Sequence, residues 1–145
     1  DEGPLYNGYY GEFARMLLIG EPTAEQKKLY QATYKAHTEA IQAVRPGIRP
    51  AELCRVSQRI IEEAGLGSFA EDGIGHSLGL SSAEPPWLTF QEQTVLQPGM
   101  VLAVEPSVFV PGVGGCRFED NILVTEDGFR QMSRTEHPGF DKFFA

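Results

Sequence analysis

Glu105 closes the apolar run "MVLAVE", and Glu119 interrupts the run "CRFEDNILV". Glu12 stands between two aromatic-rich segments, Asp1 opens the first of them, and His76 sits among glycines in "GIGHSLGLSSAEPP". A carboxylate in an otherwise apolar strand is costly to bury unless it is paired or binds a cation. Taken singly, each could alternate onto a wet sheet face, which antiparallel strands often have. Taken together, hard oxygen donors and one imidazole suit Mn, Co, Fe or Zn, and a carboxylate-rich set suits two ions sharing bridging ligands. Without cations, converging carboxylates would raise one another's pKa values. Spacing alone leaves open whether they converge.

The chain that must position these groups has 145 residues, enough for one domain or part of one. At 41% hydrophobic and 22% charged residues it is globular in type. A net charge of −8 with no basic patch excludes nucleic acid as a partner class, and an anionic membrane surface with it. No apolar run approaches bilayer length, and no signal-peptide pattern is present. Cys54 and Cys116 lie far apart, outside any C-x-x-C spacing, and read as free thiols of a cytoplasmic protein. The opening at Asp1, without methionine and already strand-like, leads us to expect an upstream part.

Two β-rich runs, "LYNGYY" and "FARMLLIG", come first, with Asn7-Gly8 as a turn. Thr23 and Gln26 form a capping box that starts a helix running to about Val44, with Leu29, Ala32, Ala36, Ala40 and Ile41 at helical spacing. "RPGIRP" ends it. A second helix begins at Pro50 and stops before Gly65, with Leu53, Val56, Ile60, Ile61 and Ala64 on one side. Residues 66–100 read as mostly irregular, and "MVLAVEPSVFV" and "CRFEDNILVTEDG" as two strands, the second closed by a turn at Asp127-Gly128. That order predicts an α+β fold, an antiparallel sheet covered by helices on one face.

Four ordered stretches, "DEGPLYNGYYGEFAR", "GHSLGLSSAEPP", "LQPGMVLAVEP" and "GGCRFEDNILVTEDG", resemble the motifs of the pita-bread metallopeptidases: methionine aminopeptidases, aminopeptidase P and prolidase. The resemblance spans residues 1–145 and implies the C-terminal part of a pita-bread catalytic domain, with a curved antiparallel sheet. It implies two divalent metal ions, of which manganese is one candidate, held by Asp1, Glu12, His76, Glu105 and Glu119. Glu105 would also accept a proton from the attacking water, and Arg117 would hold a substrate carboxylate or orient Glu119. The glycines around His76 would let the backbone pass close to the metal pair. A small peptide substrate and a homodimeric full-length protein are implied as well.

Three positions depart from the family pattern. Glu12 replaces an aspartate, lengthening that ligand by one methylene. Ala83 and Asp72 stand where Xaa-Pro-cleaving members carry histidines, and a methyl group can neither donate a hydrogen bond nor shuttle a proton. His37, mid-helix, and His137, in the polar tail, are expected to face solvent rather than to compensate. The expected function is a metal-dependent hydrolase of amide C–N bonds, nearest to Xaa-Pro dipeptidases. The alternatives are a metal-dependent lyase or hydrolase of a small zwitterion, and a non-catalytic pita-bread module that binds a partner through its cleft.

Overall fold

The computed structural model describes residues 3–135. It opens on a tight hairpin of β1 (Leu5–Tyr6) and β2 (Tyr9–Tyr10). Its two-residue turn requires positive φ at both positions, and Asn7 (51°) and Gly8 (84°) are residues that tolerate it. "FARMLLIG" does not continue as a strand. Pairing is limited to isolated bridges at Phe13 and Ala14, the latter antiparallel to Glu119, and Leu17 and Ile19 are exposed. A run of apolar residues favours a strand only where a partner ladder is at hand.

Helix α1 (Ala24–Gln42) starts at the Thr23–Gln26 capping box, with Thr23 Oγ1 accepting from the Gln26 backbone and the Gln26 side chain accepting from Thr23. Helix α2 (Pro50–Glu63) begins with proline in its first turn and lies against α1. The two pack on one face of the sheets, as the element order predicted. The C-terminal end of α1 and the start of α2 bury Ala40, Ile41, Val44, Leu53 and Cys54 against Ile74, Leu88, Leu102, Val104, Ile122 and Val124. The other ends bury Leu29, Tyr30, Ala32, Ala36, Ile60 and Ile61 against Val108, Cys116 and Phe118. The alanines of α1 keep that helix close to its neighbours. Phe118 meets Tyr30 edge-on at 4.9 Å between ring centroids.

The main sheet is antiparallel throughout, in the order β4 (Glu84–Trp87), β3 (Gly75–Ser77), β5 (Val101–Val104), β8 (Asp120–Val124), β9 (Phe129–Gln131). Residues 66–100 thus contain two strands where irregular chain was expected. They are too short to show a period, and prolines fill half of β4. The two long apolar runs each divide in two. "MVLAVEPSVFV" breaks at Glu105-Pro106, so that β5 stays in the main sheet and β6 (Ser107–Val110) leaves it. "CRFEDNILV" breaks at Phe118-Glu119, where β7 (Gly114–Arg117) ends its pairing with β6 and β8 joins β5. Both breaks fall at candidate site residues.

The expectation for His37 changes. His37 is buried, not solvent-facing, because it lies on the stripe of α1 that packs against the sheet. His137 falls outside the described residues. Gly75 (φ 134°) is needed by the sheet: a Cβ there would stand 1.9 Å from the Ala103 carbonyl oxygen of β5. Among the described residues no helix is long and apolar enough to cross a membrane.

Cys54 and Cys116 are free and sit in different halves of the core. Burial pushes both thiols up to about 12, and Cys54, still protonated, donates to the Leu88 carbonyl at 3.1 Å. Neither thiol should react with a disulfide reagent at pH 8 while the protein is folded, and both should react once guanidinium unfolds it. Rapid labelling of the native protein at either cysteine would contradict this packing.

Candidate functional site

Alternation along residues 117–120 divides the molecule into a back and a front. Phe118 and Asp120 point toward α1, where Phe118 packs on Tyr30 and Tyr34 and Asp120 lies 3.4 Å from His37 Nε2. Arg117 and Glu119 point the other way, toward Glu105, which also lines a neighbouring cleft. The cleft, about 400 Å³ in volume, is lined by Glu71, Asp72, Gly73, Gly75, Trp87, Thr89 and Glu105.

Of the expected site residues in the described range only Glu105 lines that cleft, and each of them is placed beside it by its own support. Glu105 follows β5 directly, its N–H held by the Ile74 carbonyl at 2.7 Å. His76 is the middle residue of β3, opposite Ala103 on one side and Trp87 on the other, and the register with β4 shifts just after it. Such an irregularity re-aims a side chain. Trp87 meets the His76 ring edge-on at 6.1 Å. Glu119 comes from the Ala14 bridge, and that same bridge brings in Glu12 two residues upstream. Asn121 then fixes Glu12 from both sides, its Oδ1 accepting from the Glu12 N–H at 3.3 Å and its Nδ2 donating to the Glu12 carbonyl.

The side chains meet around the His76 imidazole. Its Nε2 lies 3.1 Å from Glu105 Oε1 and 3.6 Å from Glu12 Oε2. Its Nδ1 faces the Ser77 carbonyl at 3.0 Å, and a carbonyl can only accept, so Nδ1 carries a proton. Nε2 faces carboxylate oxygens, which also only accept, so the protonated ring donates there to Glu105 and the neutral ring leaves Nε2 as its donor atom for a cation. Glu105 holds the His76 pKa above its ordinary value, chiefly by hydrogen bonding, against the opposing effect of burial. Glu119 is 1% exposed. Burial, and then the charges of Glu105 and Glu12, push its carboxyl up to about 8, and its Oε2 has no hydrogen-bond partner among the described residues.

These observations bear on whether divalent cations suit the site. Among the described residues no three or more His, Cys, Asp or Glu side chains close around one point. Glu105 is instead turned to His76 with one oxygen and to Arg117 Nη1, at 3.2 Å, with the other. Asp1 lies outside the described residues. In kind, the donors fit. Two carboxylates face one imidazole whose far nitrogen is anchored, and the buried Glu119 nearby has a carboxyl oxygen without a partner among the described residues, which is the environment a hard cation relieves.

Several contributors were not singled out from sequence. Arg15 donates to the Glu119 carbonyl at 2.7 Å and to Asp120 Oδ1 at 2.7 Å, pinning the backbone on which Glu119 rides. Asn121 was visible as an amide in an apolar strand, a place where such residues are depleted. Ser107 and Glu71 both bond to Arg117. Glu71, in a loop, gave no signal at all. Of the departures, Ala83 lies exposed in the loop before β4 and Asp72 is exposed on the cleft wall.

Residues 1–126 match the model of metallopeptidase family M24. The chain is 36% identical over 136 residues to the Xaa-Pro dipeptidase of Pyrococcus furiosus, covering 94% of this chain and 39% of that protein. A prolidase structure from the same organism superposes with a TM-score of 0.90 at 36% identity, over 93% of this chain and 40% of that one. An Xaa-Pro dipeptidase structure from Bacillus anthracis gives 0.88 at 33% identity, over 91% and 37%. The chain thus spans about two-fifths of the length of the relatives it matches. With its antiparallel sheets and two helices it has the pita-bread fold of those neighbours. The chain belongs to metallopeptidase family M24.

Proposed function

We propose that residues 1–145 are the C-terminal part of a pita-bread catalytic domain that hydrolyses the amide bond of Xaa-Pro dipeptides. In this reading Asp1, Glu12, His76, Glu105 and Glu119 hold two divalent cations. The observation that carries it is the placing of Glu12 and Glu105 at the Nε2 edge of His76, with the buried carboxyl of Glu119 close enough to feel all three charges. The relatives' description as Xaa-Pro dipeptidases supports the substrate class.

Bound cations would supply Lewis acidity and lower the pKa of a water molecule in the cleft. The rest is the work of this chain. Glu105 reaches into the cleft with both oxygens held, so it can take a proton at a fixed position. His76 keeps its Nε2 toward the carboxylates because Ser77 occupies Nδ1. Trp87, beside His76, gives the cleft an apolar wall.

A second reading has a specific observation behind it. Besides His76, the other described histidine, His37, is buried where α1 packs on the sheet, so among the described residues no second imidazole stands beside Ala83 or Asp72. A cleft that binds cations and peptide with slow turnover would look the same.

Three measurements test these readings on the full-length protein. Metal analysis after purification without chelator should find about two divalent ions per chain, as expected of a paired-ion site. A metal-free protein even after Mn(II) reconstitution would sink the hydrolase proposal. Glu105→Gln should cost about 100-fold or more in kcat on Xaa-Pro dipeptides while the protein keeps its fold by circular dichroism. Ala83→His should raise kcat, by about 10-fold or more, if the missing imidazole is what limits turnover; no gain would favour the binding reading.

Glu119 adds a pH signature to the chelator-treated protein. Its folded pKa lies above the unfolded value, so the folded state prefers the protonated carboxyl. The associated stability is fully present below about 4.5 and is lost as pH rises through about 8. Melting temperature should fall from pH 5 to pH 8, and Glu119→Gln should flatten that slope. An unchanged slope in the variant would place the titrating group elsewhere.

A further inference from the structure

Arg117 has each of its three guanidinium nitrogens engaged. It ends β7 opposite Ser107, the first residue of β6. Its Nε donates to Ser107 Oγ at 2.7 Å, its Nη2 to Glu71 Oε2 at 3.0 Å, and its Nη1 lies 3.2 Å from Glu105 Oε2. Ser107 is buried, and its hydroxyl donates in turn to the Glu105 carbonyl at 3.0 Å. The backbone completes the ring, with the Glu71 N–H donating to the Ser107 carbonyl at 3.2 Å. Glu71, Ser107, Arg117 and Glu105 therefore form a closed circuit beside the cleft.

The guanidinium is planar and rigid, so anchoring two of its nitrogens fixes the third. Ser107 and Glu71 hold Nε and Nη2, and the place of Nη1 then determines where Glu105 Oε2 can sit. A single positive charge is also divided between two carboxylates. Were Glu71 neutral, the guanidinium would lean wholly on Glu105. We propose that Glu71 is a positioning residue, which by holding one arm of Arg117 sets the direction of the Glu105 carboxylate and keeps it available to the cleft. The pair is half-exposed, so its weight lies in geometry more than in stability. A grip by Arg117 on a substrate carboxylate would first require Glu71 to let go.

The inference rests on the proposed metal site only in the second of its two tests. The first is a double-mutant cycle on thermal unfolding of the full-length, chelator-treated protein. Glu71→Gln and Glu105→Gln should be non-additive by about 2 °C or more in melting temperature, because both lean on Arg117. Asp72→Asn removes the same charge from the neighbouring position, and it should add to Glu105→Gln within about 1 °C. Additivity of the Glu71 pair, or equal coupling for Asp72, overturns the proposal. The second test is Mn(II) calorimetry. Glu71→Gln should weaken binding about 10-fold, Glu71→Asp should restore most of it, and Asp72→Asn should change it by less than about 2-fold. Equal losses for Glu71→Gln and Asp72→Asn would show a charge effect alone, and would refute a positioning role. If the wild-type protein bound no Mn(II), the metal reading would fall, and the thermal cycle would still decide this inference.

Discussion

Glu119 carries a carboxyl that is almost fully removed from water, with two further carboxylates beside it. Like charges in a dry place are unfavourable, and a chain of this size has little stability to spare for them. Much of the surrounding structure can be understood as the means of holding that arrangement. Arg15 bonds the backbone of Glu119, the Ala14 bridge brings Glu12 within reach, and Asn121 fastens Glu12 in place. Behind the strand, Phe118 and Asp120 root it in α1. The two apolar clusters support this single stretch of four residues from both ends.

The same constraint accounts for where the strands break. An unbroken β5–β6 or β7–β8 would have kept Glu105 and Glu119 in the regular alternation of one sheet. By breaking at Pro106 and at Phe118-Glu119, the chain passes from the main sheet to the β6–β7 hairpin. Both glutamates then stand at the junction, where neither sheet's ladder claims the space. Gly75 serves the opposite need, letting β3 approach β5 closely enough to place His76 beside Glu105.

The helices were legible because their signals are local. The capping box at Thr23, the proline at the start of α2 and the apolar stripe of α1 each act within a few residues. The carboxylates in apolar runs also announced themselves, since burial of charge demands a reason. What could not be read was whatever depends on partners distant in sequence. The division of two runs into four strands is set by which ladder each half finds. The burial of His37 follows from which side of α1 meets the sheet, and a polar residue on an alanine-rich stripe does not advertise that. Glu71 and Ser107 stand 46 and 10 residues from the arginine they hold. No spacing rule connects them.

The front and back of residues 117–120 also differ in how freely they can vary. The groups behind the strand are locked into packed core, where a change in one side chain disturbs many others. Asp72, by contrast, is exposed on the cleft wall, and Ala83 is exposed on the loop before β4. Substitutions there can alter which molecule the cleft prefers without reopening the problem of the buried carboxyl. A lineage could therefore drift across substrates, or out of catalysis, by editing loops alone while its charged centre stayed as it was.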